Sequence, residues 1–156
     1  IFLTNISDKK KIEKVFGYIG GAVAHLYDSL DKKTNIEIVN TIHEQSAAFA
    51  AEGYARITGK SGIALATSGP GATNLITSIG SCFFDSVPTM FITGQVNTYE
   101  YKYDKLVRQI GFQETDIVSI VNPIVKYAVM ADDIAKYPAV KMFADFIKNS
   151  GRGITR

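Results

Sequence analysis

Gly62-Ile63-Ala64-Leu65-Ala66-Thr67-Ser68-Gly69-Pro70-Gly71-Ala72-Thr73-Asn74 is the stretch that decides how this chain folds. Residues 62–67 are a continuous apolar run of strand length, without the alternation of a half-solvated strand. Ser68-Gly69-Pro70-Gly71 then makes a tight loop, residues 72–84 read as a helix, and Thr89-Met90-Phe91-Ile92-Thr93 is a second strand. Strand, loop, helix, strand is one βαβ unit, and strands that are apolar throughout imply a parallel sheet covered on both faces.

The same alternation extends outward. Residues 14–18 form a short strand-like run, Gly20-Gly21 a turn, and residues 22–30 a helix. Residues 35–40 (NIEIVN) have strand length and β-branched content, residues 44–58 are Ala-rich and helical, and Gly59 is placed to stop that helix. The expectation is an α/β domain with a doubly wound, mainly parallel sheet and helices on both faces. Residues 94–111 are polar and tyrosine-rich (Tyr99, Tyr101, Tyr103) and read as a long loop, a kind of segment that is usually functional or mobile. Thr115 or Asp116 is placed to cap a short helix running to Val121, which Pro123 follows, and residues 125–130 are a last strand candidate. Ile134, Tyr137, Val140, Phe143, Ala144 and Ile147 recur every three or four positions, a helical stripe that starts or kinks at Pro138.

At 156 residues one domain is the default, and the 46% hydrophobic and 21% charged content is that of a soluble globular chain. No apolar run reaches the roughly 18 residues of a membrane span. No basic segment followed by an apolar core and a cleavage site opens the chain, and its start at Ile1 rather than Met is compatible with processing or truncation. The net charge of +2 is spread without a basic stripe, so Lys9-Lys10-Lys11 and Lys32-Lys33 read as solvated charge rather than a nucleic-acid surface. One cysteine, Cys82, excludes an internal disulfide and fits a reducing, cytoplasmic compartment. Set in Gly80-Ser81-Cys82-Phe83-Phe84, it reads as a small buried hydrophobe. With one Cys and only His25 and His43, no zinc cluster is expected, and no metal ligand is assigned to this chain.

Three loops follow strand candidates: Tyr18-Ile19-Gly20-Gly21, His43-Glu44-Gln45 and Ser68 through Asn74. Open α/β sheets bind ligands at the carboxyl ends of their strands, so adjacent parallel strands would set these loops on one rim. The glycines of the third loop let backbone approach a ligand, and the helix after it offers free N–H groups to an anion or a heterocycle edge. It is neither a Walker loop nor a complete Gly-x-Gly-x-x-Gly, and by itself it reads first as a strand-to-helix turn with no ligand. Glu44 reads from pattern alone as first-turn charge favoured by the helix dipole or as a functional carboxylate. His43 reads as a packed or surface histidine or as a catalytic one.

Several blocks together resemble one family. Val15-Phe16-Gly17-Tyr18-Ile19-Gly20-Gly21 resembles the Phe-Gly-Tyr-Pro-Gly-Gly segment of acetolactate synthase large subunits. His43-Glu44-Gln45 with Phe49-Ala50-Ala51-Glu52-Gly53-Tyr54-Ala55-Arg56 resembles the family's cofactor-glutamate helix, and Ala66 through Asn74 its next block. Asp85-Ser86-Val87-Pro88, Ile92-Thr93-Gly94-Gln95-Val96 and Phe112-Gln113-Glu114-Thr115 follow in the family's order. The chain is similar, over about residues 15–129, to the thiamine diphosphate enzymes of the acetolactate synthase type. The resemblance implies that Glu44 hydrogen-bonds the pyrimidine N1′ of thiamine diphosphate and promotes the imino tautomer that takes the proton from thiazolium C2. A carboxyl group in a dry apolar pocket suits such proton sharing, and Phe49 and the neighbouring alanines would keep the pocket dry. Tyr18, Gly20, Pro70 and Asn74 would line the pyrimidine, and Gln113 would reach the reacting centre. For His43 and Glu114 the structural reading, salt bridge or cap, is kept.

Ile19 stands where the family usually has proline, residues 96–111 are longer than its usual connection, and Asp116 replaces a usual proline. These departures surround the substrate side, so the resemblance implies a 2-oxo acid decarboxylase or carboligase without naming the acid. The family's diphosphate and magnesium site, a Gly-Asp-Gly segment and a later Asn-Asn, has no counterpart here, nor has the middle domain that carries flavin. Residues 1–156 are therefore expected to be a single pyrimidine-binding domain, a fragment or one half of a split enzyme, inactive alone. Residues 2–12 stand as the remnant of the helix that usually precedes it, and the ending from Ser150 starts like the family's Gly-Arg-x-Gly-Pro-Val strand before diverging. The implied partners are a diphosphate-binding domain of the same or a partner chain, in a dimer or tetramer, with magnesium, and with FAD an option in the full-length enzyme. The alternative is a regulatory or scaffold module that keeps the fold without catalysis.

Overall fold

The computed structural model describes residues 12–33 and 35–131. Four strands, β1 (Lys14–Gly17), β2 (Glu37–Asn40), β3 (Gly62–Ala66) and β4 (Thr89–Thr93), form one sheet in the order β2-β1-β3-β4. Every neighbouring pair is parallel, with Val15 opposite Ile38, Phe16 opposite Ala64 and Ala64 opposite Phe91. The helices are α1 (Ala24–Lys33), α2 (Glu44–Thr58), α3 (Pro70–Thr73), α4 (Ile76–Asp85) and α5 (Ile117–Val121), with a 3-10 turn at Gly21–Val23 leading into α1.

The chain runs outward from β1 to β2, returns across β1 to β3, and continues to β4. Parallel crossovers are right-handed, so this reversal sends the next helices to the opposite face. The core divides accordingly. Val15, Ile63, Leu65 and Met90 meet Val23, Tyr27 and Leu30 on one face. Phe16, Ala64 and Ala66 meet Ala47, Ala48, Ala51, Leu75 and Ile79 on the other. Successive strand residues point to opposite faces, which is why strands buried on both sides read as unbroken apolar runs. The doubly wound α/β expectation holds.

Helix α2 spans the residues its composition predicts. His43 caps its start and Gly59, at φ 68°, ends it. Its buried side chains fall in two rows, Glu44-Ala48-Glu52 and Ala47-Ala51-Ala55, the spacing at which successive turns of a helix stack. Alanine in both rows lets the helix lie close on the sheet, so close that a Cβ at Gly62 would strike the Ala51 backbone. Glu52 bolts α2 to α4: it takes both Arg56 Nε (3.0 Å) and Nη2 (2.6 Å), Ser81 Oγ (2.9 Å) and Ser78 Oγ (3.3 Å). Arg56 also pairs with Asp85 at the end of α4. Cys82 is buried, and that burial is the main reason its thiol is pushed up to about 11, in keeping with a small packed hydrophobe.

Two expectations are corrected. The single helix predicted over residues 72–84 starts earlier, at Pro70, whose fixed φ suits a first helical position. It then breaks at Asn74 and Leu75, where the Leu75 N–H bonds Ala72 O (3.1 Å), three residues back instead of four. Residues 125–130 form no strand. Val125 has extended dihedrals, yet Val125 and Ala128 pack against the cluster under α2 and α4, so their apolar surface is covered by helices rather than by joining a ladder. The helical stripe at 134–147, the helix remnant at 2–12 (apart from Ile12) and the ending from Ser150 lie outside the described residues. Among the described residues no helix is long and apolar enough to cross a membrane.

Candidate functional site

The return of the chain across β1 makes the gap between the carboxyl ends of β1 and β3 the switch point of the sheet, where open α/β folds bind ligands. The three loops singled out in the sequence meet there. Beyond the end of β2, the Thr41 N–H bonds Gly17 O (2.9 Å), prolonging the β1–β2 pairing by one residue, and Thr41 Oγ1 bonds His43 O (2.8 Å). That turn leaves His43 extended, with its Nδ1 accepting the Gln45 N–H (3.2 Å) as the cap of α2. Glu44 follows as the first helical residue, only 8% exposed.

The third loop closes on the same carboxylate. Asn74 Nδ2 donates to Glu44 Oε2 at 2.9 Å. Gly71 faces the other oxygen: a Cβ there would sit 3.1 Å from Glu44 Oε1 and 2.6 Å from Thr67 Cγ2. Thr67 in turn lies against Gly20, and its Oγ1 accepts the Ala22 N–H (3.4 Å), tying the first loop to the third. Gly69 has φ +60°, a left-handed conformation that favours glycine, and a Cβ there would fall 2.6 Å from Gln113 Cβ. Gln113 is itself at φ 56°, so the long loop returns to the rim with its backbone against Gly69.

Glu44, Gly20, Asn74 and Gln113 are thus brought to one rim. Pro70, at the start of α3, stands exposed beside them, and Tyr18 is 43% exposed. Phe49 is 42% exposed. It lies outside both buried rows of α2, whereas Ala47, Ala48 and Ala51 of those rows are fully buried. Glu114 is structural: its carboxylate accepts the backbone N–H groups of Lys102 (2.8 Å), Ile110 (2.8 Å) and Gly111 (3.3 Å). Burial opposes ionisation there, but these donors and the Lys102 charge prevail and hold the Glu114 carboxyl below its ordinary value.

Sequence reading missed Tyr27. It sits on α1 in an apolar row with Leu30 and with Val23 of the preceding 3-10 turn, and reads as core, yet its hydroxyl reaches the end of β1 beside Gly17 and Leu65 O. The hydroxyl is buried and has no hydrogen-bond partner among the described residues. Burial, and then the negative charge of Glu44, push it up to about 12. The available signal is the residue type, since a buried tyrosine brings a polar tip that needs a partner. A separate open groove of about 760 Å³, lined by Ile19, Tyr27, Asp28, Asp31, Glu37 and Asn40 among others, includes neither Glu44 nor Asn74. Among the described residues no three His, Cys, Asp or Glu side chains gather to hold a metal.

A carboxylate that is buried, held on one oxygen and open on the other can exchange a proton with a ring nitrogen brought against it. Residues 3–120 match the family described as thiamine pyrophosphate enzyme, N-terminal TPP binding domain. The chain is 43% identical over 141 residues, 90% of its length, to the acetolactate synthase large subunit of Buchnera aphidicola from Acyrthosiphon pisum. It is also 43% identical over 141 residues to acetolactate synthase isozyme 3 large subunit of Escherichia coli K12. With the chloroplastic acetolactate synthase of Arabidopsis thaliana it shares 40% over 150 residues, 96% of this chain and 22% of that protein. The chain spans about a quarter of the length of these curated relatives, 24% of each bacterial one.

Proposed function

Because the chain belongs to the thiamine pyrophosphate enzyme family through that family's N-terminal cofactor-binding domain, we propose that it is the pyrimidine-binding part of an acetolactate synthase-like enzyme that decarboxylates a 2-oxo acid and joins the remaining fragment to an acceptor. The observation that carries this reading is Glu44, buried at the switch point with Oε2 held by Asn74 and with no hydrogen bond to Oε1 among the described residues.

These residues fit thiamine diphosphate. Its pyrimidine needs a carboxylate for one ring nitrogen and backbone that can approach its edge. The rim offers both, the carboxylate in Glu44 and the backbone in two loops that carry no side chain at Gly20 and at Gly71. Tyr18, Gly20 and Pro70 would line the ring, with Asn74 at its edge beside Glu44. When bound, the cofactor supplies the electron sink for loss of carbon dioxide. The rest is the work of this chain. Glu44 holds or moves a proton at Oε1. Ala47, Ala48 and Ala51 keep water from its back. Gln113, carried to the rim by the long loop, is placed to reach the reacting centre.

The diphosphate and its magnesium would be held by a second domain of the same or a partner chain, in a dimer or tetramer with flavin as an option. The complete enzyme would work in the cytoplasm, without nucleic acid or membrane as partner. The chain alone is then inactive. The test is decarboxylation of a panel of 2-oxo acids by the full-length gene product with thiamine diphosphate and magnesium, wild type against Glu44→Ala. A positioned acid–base group contributes roughly 10²- to 10⁴-fold, so the variant should lose at least about 100-fold in kcat. Equal activity in both proteins removes Glu44 from the mechanism, and inactivity of both with every acid favours a scaffold role.

A further inference from the structure

We infer that Asn74 acts through Glu44, as a positioning residue that decides which carboxylate oxygen is free for the cofactor, rather than as part of the pyrimidine's own lining. This rests on the role proposed for Glu44 and goes beyond it.

The side-chain amide nitrogen of asparagine only donates. Asn74 Nδ2 lies 2.9 Å from Glu44 Oε2, so Oε2 is the acceptor, and a proton on that oxygen would weaken the bond. A proton shared by Glu44 with a ring nitrogen is then favoured at Oε1. That oxygen lies over Gly71, where any side chain would crowd both Oε1 and Thr67 Cγ2. The amide therefore acts as a selector, and the missing side chain at Gly71 keeps the selected oxygen open.

The fold gives Asn74 this position by interrupting a helix. Residues 70–73 and 76–85 are helical, and the break falls at Asn74 and Leu75. The Asn74 N–H bonds back to Pro70 O (3.0 Å), which keeps the residue on the first turn while its side chain crosses to α2. A hydrogen bond to a charged group is stronger than a neutral one and holds the carboxylate in one rotamer.

The test is a double-mutant cycle in the full-length enzyme, read as the Kd for thiamine diphosphate by titration calorimetry at fixed magnesium. The four proteins are wild type, Asn74→Ala, Glu44→Ala and the double variant. Loss of one charge-assisted hydrogen bond should weaken binding roughly tenfold in the Glu44 background. With Glu44 absent the same substitution should change Kd by less than about twofold, because nothing remains for Asn74 to position. Equal losses in both backgrounds would overturn the inference, since Asn74 would then be acting on the cofactor directly or on the loop. Asn74→Asp keeps the size and replaces the donor with a repelling carboxylate. It should bind more weakly than Asn74→Ala when Glu44 is present and should match the parent in a Glu44→Gln background. A loss of the same size in both backgrounds again counts against the inference. If Glu44→Ala alone binds and turns over like wild type, the proposed role of Glu44 fails, which these binding ratios keep distinct from failure of the selector.

Discussion

Tyr27 carries a hydroxyl that folding takes out of water without giving it a partner among the described residues. An unsatisfied buried polar group costs on the order of 1–3 kcal/mol, whereas the ring around it contributes ordinary core packing with Val15, Val23 and Leu30. Tyr27→Phe should therefore stabilise the cofactor-free full-length protein by about 1 kcal/mol. Thermal unfolding with and without thiamine diphosphate reads this directly. A lower Tm in the variant without cofactor would show that the hydroxyl has a partner in the assembled enzyme. Glu44 is the contrasting case. Its burial is compensated at one oxygen by Asn74, and the oxygen left open is the one the proposed chemistry uses.

Among the elements, the long connection after β4 shows how a polar segment acquires a fixed shape. Residues 94–111 contain only one short 3-10 turn, Thr98–Glu100, and Glu114 gathers the backbone of residues 102, 110 and 111 onto one carboxylate. The Glu114 carboxyl titrates below its unfolded value, so the sign of its linkage is clear: its contribution to stability is present above the unfolded pKa and is lost as pH falls through the lower folded one. In an acid titration the amide proton signals of Lys102 and Ile110 should move together, with a midpoint below the ordinary glutamate value of about 4.3. A midpoint at or above that value would mean that the three donors do not hold the loop in solution. Glu114→Gln, with no charge to lose, should abolish the transition. The break between α3 and α4 belongs at this scale too, because it places the Asn74 side chain across from α2.

For the whole molecule, the decisive feature is the strand order. With β1 and β3 adjacent at the centre, loops from three strands converge, and side chains 30 positions apart share a hydrogen bond. The same architecture leaves large apolar side chains in solvent, with Ile57, Phe84, Tyr99, Leu106 and Phe112 each at least three-quarters exposed. Scattered exposed residues are ordinary, but under the proposed function these bulky ones are the surface that the enzyme's other domains would cover. The 156-residue chain alone should self-associate in sedimentation velocity. A monodisperse monomer at high concentration would remove that expectation.

Local pattern was enough for the elements whose apolar positions are continuous or fall at one clear period. Residues 62–66 and 89–93 are strands because nothing polar interrupts them, and 44–58 is a helix because its alanines recur at the helical spacing between a cap and a stop. The rim loops and Glu44 were legible for the same reason, since each follows a strand that could be read. The order β2-β1-β3-β4, the pairing of Asn74 with Glu44, the stranded hydroxyl of Tyr27, the outward turn of Phe49 and the failure of residues 125–130 to join the sheet were not. Each depends on which faces meet across the fold, and periodicity along a chain says that a surface must be covered without saying what covers it.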